Sequence, residues 1–315
     1  MKNPIYAQQS PFIQLLIFLL IIIVSLLFTM LLGILLAVPF YGTDILNSLD
    51  LMNNVEDPSS LALLKYFQII NQVGLFLIPS FLFAWLVSSS VFRYLKFNAK
   101  PYLFSILTGT AAILFSLPFI GWLAEINQQM NLPASLSGLE DWMKTSEEQV
   151  RILTETFLST TSIGGLAINM LMIAVIPAVG EELLFRGILQ RLFSKITGNV
   201  HVAVIIAAFL FSALHMQFYG FLPRFVLGLI LGYLFAWSGS IWVPIIVHFI
   251  NNAFAVVAMF LAGQDMIDTD LESLGTTESS SLVIMSVLLV LLLMGTFYYW
   301  EKRKSARVSQ DNQFH

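Results

Sequence analysis

Ile176-Pro177-Ala178-Val179-Gly180-Glu181-Glu182-Leu183-Leu184-Phe185-Arg186-Gly187 places three ionisable side chains inside one of the most apolar runs of the chain. Such groups cost about 2.5–3.5 kcal/mol each at the middle of a membrane helix by insertion scales. A chain that keeps three of them within six residues is using them. Glu182 and Arg186 are four apart, so they share a helix face and can pair. Glu181 points about 100° away from Glu182. This spacing predicts that Arg186 holds Glu182 as a structural pair and leaves Glu181 free to act as a base. The plainer alternative is an ion pair that only fixes helix packing, and it leaves one acid unpaired. Pro177 removes a backbone donor and tends to kink a helix. Gly180 lets another backbone come close.

The rest of the chain has the same character. Hydrophobic residues make up 57% of its 315 residues and charged residues 11%, against about 25% charged in a soluble domain. It reads as an all-α polytopic membrane protein, a bundle of about eight transmembrane helices near 12–39, 61–87, 101–124, 163–190, 200–217, 222–238, 241–262 and 280–300. The net charge of −4 gives no argument for a nucleic-acid partner, and the absence of cysteine removes disulfides, thiolate metal sites and a cysteine nucleophile. The apolar run from Phe12 to Phe40 is too long for a cleaved signal. Four units follow: N-terminal helices over 1–125, a polar extracytoplasmic segment over 126–160, a core over 161–262, and a last helix with a basic tail over 263–315. Glu140, Asp141, Glu147 and Glu148 make the second unit acidic, and a short surface helix is expected there. The end of the tail is expected to be disordered.

Loop charges give an orientation. Arg93, Lys96 and Lys100 follow the second span, Arg186, Arg191 and Lys195 the fourth, and Lys302, Arg303, Lys304 and Arg307 the eighth. Asp44, Asp50, Glu56 and Asp57 mark the first loop, and Asp265, Asp268, Asp270 and Glu272 the last. Positive-inside counting predicts an inner-membrane, multi-pass protein with both termini in the cytoplasm.

Two later apolar runs carry polar residues. His215 closes the run from Val202 to Leu214, with Phe211 one turn earlier on its face. A lone histidine near a helix end is more often interfacial. His248 lies deeper in its span, with Asn252 one turn on, and the two could donate to one oxyanion or bond neighbouring helices. Asn251 reads as packing, Lys65 as a snorkelling residue, Arg224 as an anchor at the outer end of the sixth span, His201 as solvated and His315 as tail. Gly228 and Gly232 form a small-xxx-small face.

Taken in order, Glu181-Glu182-x-x-x-Arg186, Phe211-x-x-x-His215 and His248-x-x-x-Asn252 resemble the CPBP family, the CAAX prenyl proteases and bacteriocin-processing enzymes also called the abortive-infection family. The resemblance covers about 160–260. It implies an intramembrane endopeptidase acting on a peptide or protein substrate in the lipid bilayer, in CAAX-type processing, bacteriocin processing or self-immunity. It further implies that Glu181 and His215 activate water while His248 and Asn252 stabilise the oxyanion. It leaves two chemistries open: a metal-independent one, or Zn2+ or another divalent metal on Glu181, His215 and His248. All four are expected to converge in a cavity open to the cytoplasm. One point conflicts: counted from the inner helix ends, His215 lies about 21 Å deep but Glu181 and His248 only about 10 Å. A proton-coupled transporter would use the same groups as a relay, though no repeat is visible. A proteolytically inert partner protein on the same fold is a further alternative.

Overall fold

The structure is a computed structural model and describes residues 4–42, 57–267 and 279–311. Asp44, Asp50, Glu56, Asp268, Asp270, Glu272 and His315 lie outside the described residues, as does the side chain of Arg307. Nine longer helices run in order among the described residues: α1 Pro11–Tyr41, α2 Pro58–Val87, α3 Leu103–Gln128, α4 Ser137–Leu158, α5 Ile163–Thr197, α6 Val200–Ala213, α7 Phe221–Ser238, α8 Trp242–Ala262 and α9 Ser280–Asp311. No strand occurs among these residues. In lipid every backbone group must be satisfied within its own segment, which helices achieve.

Seven of these helices are long and apolar enough to cross a membrane. The fifth expected span is the exception. α6 has 14 residues, about 21 Å of rise against about 30 Å of hydrocarbon. It ends at Ala213, and His215 sits in a turn beside Met216, whose φ is 53°. The polar segment also departs from the short helix expected of it. α4 runs for 22 residues, laced by Lys144–Glu140, Arg151–Glu148 and Arg151–Glu155 pairs. Such pairs on a solvated helix face are screened by water and add little.

α5 is the axis of the site. It spans 35 residues and contains two π-helical stretches, Met170–Val175 and Leu183–Leu189, on either side of the α-helical turn pair Ile176–Glu182. π turns occur mostly where a helix must reposition side chains for a function. Gly198, left-handed at φ 67°, ends α5 and returns the chain into α6, whose first turn is capped by Asn199. α2 crosses α5 at a π stretch of its own, Val73–Leu77. A Cβ on Gly180 would lie 2.7 Å from Phe76 Cβ, so only glycine permits this approach. An aromatic core of Phe18, Phe83, Phe185, Phe211 and Phe235 closes this end of the bundle.

Candidate active site

Every residue from Gly180 to Gln190 is buried. Arg186 Nη1 donates to Glu182 Oε1 at 2.9 Å, as the i,i+4 spacing predicts, with 1% and 0% of the two side chains exposed. Arg186 Nη2 donates to the Gly228 carbonyl at 3.0 Å, and its guanidinium lies 4.8 Å from the Phe211 ring centroid. One turn on, Gln190 Nε2 donates to the Gly232 carbonyl at 3.0 Å. The two glycines therefore do more than the close packing expected of them. A Cβ on Gly228 would press on Ala208, and one on Gly232 on Val204, so they seat α7 on α6. Their carbonyls meanwhile receive the two polar side chains of α5.

His248 joins this lattice from α8. Its Nδ1 lies 2.9 Å from Glu182 Oε1. A carboxylate only accepts, so Nδ1 donates. That bond fixes the ring and turns Nε2 toward Glu181 Oε2, 4.0 Å away. Glu182 thus holds both Arg186 and His248 with one oxygen. Among the described residues its Oε2 has no partner, and the Glu181 carboxylate accepts no hydrogen bond. Glu181 is nearly buried, at 7% exposure.

His215 reaches the same place through Phe211. The Phe211 ring stands edge-on to both imidazoles, at 5.1 Å from His215 and 6.0 Å from His248 between centroids. The His215 Nδ1 lies 2.7 Å from the Phe211 carbonyl and donates to it. In the neutral ring this leaves Nε2 as the basic nitrogen. His215 is within electrostatic reach of Glu181, Arg224 and His248.

The depth conflict disappears because α5 runs on to Thr197. Glu181 lies about 24 Å from that end by helical rise, close to the 21 Å of His215 from the start of α6. α8 begins higher: a Cβ on Gly187 would lie 4.0 Å from Ile241 Cδ1. Its first turns are therefore level with the middle of α5, and His248 reaches Glu182 from there.

Asn252 stands apart from these groups. Its Nδ2 donates to the Ile173 carbonyl of α5 at 3.1 Å, and its Oδ1 accepts from Asn251 Nδ2 at 3.1 Å. Asn251 therefore orients that amide, beyond the packing role expected of it.

Two cations correct their sequence readings. Lys65 does not snorkel. Its Nζ donates to Asn169 Oδ1 at 2.9 Å and to the Phe157 carbonyl at 3.0 Å, where the C-terminal carbonyls of α4 favour a cation. Arg224 turns inward, donating to Gln217 and within electrostatic reach of Glu147 and Glu181. With Gln128, Lys144, Glu147 and Tyr219 it lines a cavity of about 450 Å³ under α4. Sequence reasoning missed this, because the glutamates that draw Arg224 inward sit on two other helices.

A catalytic zinc needs three protein ligands around one point. Among the described residues no group of three or more histidine, aspartate and glutamate side chains is placed to hold a metal ion. The bonds of His248 Nδ1 to Glu182 and of His215 Nδ1 to a carbonyl leave each Nε2 as the donor a metal would use, so the misfit lies in the placement of the three side chains and not in their donor atoms. As placed, Glu181, His215 and His248 do not fit a metal.

Comparison with known proteins bears on this same region. Residues 163–254, which contain all six polar residues, match the family model of the type II CAAX prenyl endopeptidase Rce1-like proteins. The membrane-embedded CAAX protease MroQ of Staphylococcus aureus (strain USA300) is 35% identical over 95 residues, 28% of this chain and 38% of its own. The sporulation-killing factor biosynthesis protein SkfC of Bacillus subtilis (strain 168) is 29% identical over 114 residues, 34% of this chain and 23% of its own. The uncharacterized protein YpbD of the same strain is 29% identical over 89 residues, 27% of this chain and 42% of its own. The chain thus matches less than half the length of each of these relatives. No solved structure matches it. Residues 163–254 are thus similar to the Rce1-like family, in line with the CPBP group that the three motifs resemble.

Proposed function

We propose that the chain is an intramembrane endopeptidase that hydrolyses a peptide bond with water activated by Glu181 and His215. One observation carries this reading. Glu181 Oε2 faces His248 Nε2 across 4.0 Å, too far for a direct hydrogen bond, so the carboxylate is left free for a proton beside a ring nitrogen that can reach the carbonyl oxygen. Glu182 and Arg186 hold His248 in that orientation from behind. In the proposed step Glu181 takes a proton from water as the oxygen adds to the peptide carbonyl carbon. A protonated His248 donates Nδ1–H to Glu182 and Nε2–H to the carbonyl oxygen. The C–N bond then breaks as Glu181 returns its proton to the leaving amine. Products are a carboxylic acid and an amine, which pass to a carboxylate and an ammonium group by proton transfer. His215 Nε2 supplies a second acceptor for the water.

The substrate is a peptide or protein segment that enters the bundle from the membrane. MroQ, named a CAAX protease, and SkfC, named a biosynthesis protein of a killing factor, support CAAX-type cleavage or peptide processing as the substrate class. In this reading both termini lie in the cytoplasm, which the positive charge of the alternate loops supports.

The test is peptide cleavage by the purified protein, with and without chelator, beside two glutamate variants. Glu181→Gln is nearly isosteric and breaks no hydrogen bond in the site. It should keep the melting midpoint and lose at least about 100-fold in turnover, the usual scale for a lost general base. Glu182→Gln should lower the midpoint. Turnover should survive the chelator, because the three side chains do not close into a ligand set. Near-normal cleavage by Glu181→Gln, with a folded but inactive Glu182→Gln, would reverse the two roles.

A further inference from the structure

His215 stands in the turn 214–220 between α6 and α7. α7 starts after Gly220, which has no side chain to cap it. A helix start leaves its first backbone N–H groups unpaired, and a polar side chain usually accepts from the second or third of them. For α7 that side chain comes from another helix. Asn127, in the last turn of α3, accepts from the Leu222 N–H through Oδ1 at 2.8 Å. Its Nδ2 donates to the Phe218 carbonyl at 2.9 Å. One buried amide, 4% exposed, thus bonds the chain on both sides of Gly220.

The remaining contacts agree on where this turn is held. Glu147 of α4 accepts from the Tyr219 N–H at 2.9 Å, and the Trp142 ring lies 5.7 Å from the Phe218 ring. Ser212 Oγ donates to the Phe221 carbonyl at 2.6 Å. His215 itself is tied to α6 through the Phe211 carbonyl. Only Met216 and Gln217 separate it from Phe218, a reach of about 10 Å at full extension. A shift at Phe218 therefore passes to His215 with little slack. Asn127 lies outside residues 163–254, so the placement of a motif histidine depends on a helix that carries none of the three motifs.

We propose that Asn127 is a positioning residue for His215, whose amide caps α7 from α3 and fixes the turn that carries the histidine. The kinetic arm of its test rests on the peptidase reading; the exchange arm does not.

The experiment compares wild type, Asn127→Ala, Asn127→Asp and Leu63→Ala as full chains in nanodiscs, by cleavage kinetics, melting midpoint and hydrogen exchange followed by mass spectrometry. Leu63 belongs to a separate apolar cluster of α1 and α2, so its variant controls for general loss of stability. Asn127→Ala should lower kcat by about 10- to 100-fold, the scale of a small misplacement of catalytic groups, with KM little changed. Exchange over 214–222 should rise about 10-fold, the scale of one or two lost hydrogen bonds, while α5 keeps its protection. Asn127→Asp keeps the acceptor for Leu222, loses the donor to Phe218 and should fall between wild type and Asn127→Ala. Leu63→Ala should lower the midpoint and leave kcat and the exchange of 214–222 unchanged. A fall in kcat with unchanged exchange would overturn the proposal and put Asn127 against the substrate. Faster exchange with full kcat would overturn it as well, as would the same losses in Leu63→Ala. Should Asn127→Ala fail to fold, Asn127→Asp takes its place in every comparison. If wild type and all variants fail to cleave, the peptidase reading fails, and exchange alone decides whether Asn127 holds the turn: equal protection of 214–222 in wild type and Asn127→Ala would sink the proposal.

Discussion

α1 and α5 are both long apolar helices, yet they are built in opposite senses. α1 is the more apolar of the two and the least buried of the seven candidate spans; α5 is less apolar and among the most buried. The residues α1 turns inward are mostly polar or small: Gln14, Phe18, Ser25, Thr29, Gly33 and Ala37. Its Leu20, Ile23, Leu27, Phe28 and Leu31 face outward. In α5 the buried run holds two glutamates, an arginine and a glutamine. Lipid tails are as apolar as leucine, so no hydrophobic force draws leucines inward. Hydropathy in this chain therefore reports contact with lipid, and polarity marks the interior.

The largest effect should come from breaking the α5 lattice. Arg186→Ala leaves Glu182 as a buried, half-paired charge and also removes the donor to the Gly228 carbonyl. Removing one partner of a buried pair costs about 3–5 kcal/mol. Folded yield and melting midpoint in detergent should both fall sharply. A variant that melted like wild type would show that water reaches Glu182, and the contrast with α1 would lose its basis.

That pair was legible in the sequence because both partners sit on one helix at a fixed spacing. The rest of the lattice was less so. Gln190 and Asn252 use backbone carbonyls of other helices as partners, and a carbonyl leaves no trace in residue identity. Hydropathy marked Lys65 as an interfacial exception, since Asn169 and the end of α4 are distant in sequence. The end of α6 was overrun because Leu214 and Met216 extend the apolar pattern past Ala213, where the chain already turns. The depth of Glu181 was underestimated for a related reason. The last turns of α5 are amphipathic and polar enough to resemble a loop.

A middling effect should follow from closing the α2–α5 contact. Gly180→Ala puts a methyl 2.7 Å from Phe76 Cβ, and neither backbone can retreat far between two π stretches. Overpacking of this kind costs about 1–3 kcal/mol. Because Gly180 precedes Glu181, cleavage should fall along with the midpoint. A lowered midpoint with full turnover would separate the α2 packing from the site.

The smallest effect sharpens the comparison most, because it repeats one chemical change on both helices. Leu183 of α5 is fully buried and Leu27 of α1 is 65% exposed. Leu183→Ala empties part of a packed core and should cost about 2–5 kcal/mol. Leu27→Ala exchanges side-chain contact with lipid for more lipid, leaves no cavity, and should stay within about 0.5 kcal/mol of wild type, as surface changes do. Unfolding midpoints of the two variants in the same detergent measure the difference directly. In a soluble protein the most apolar helix is the most buried, and the ranking would run the other way. In this chain the order is inverted, and equal losses at Leu27 and Leu183 would mean that α1 packs against a further surface through its leucine face.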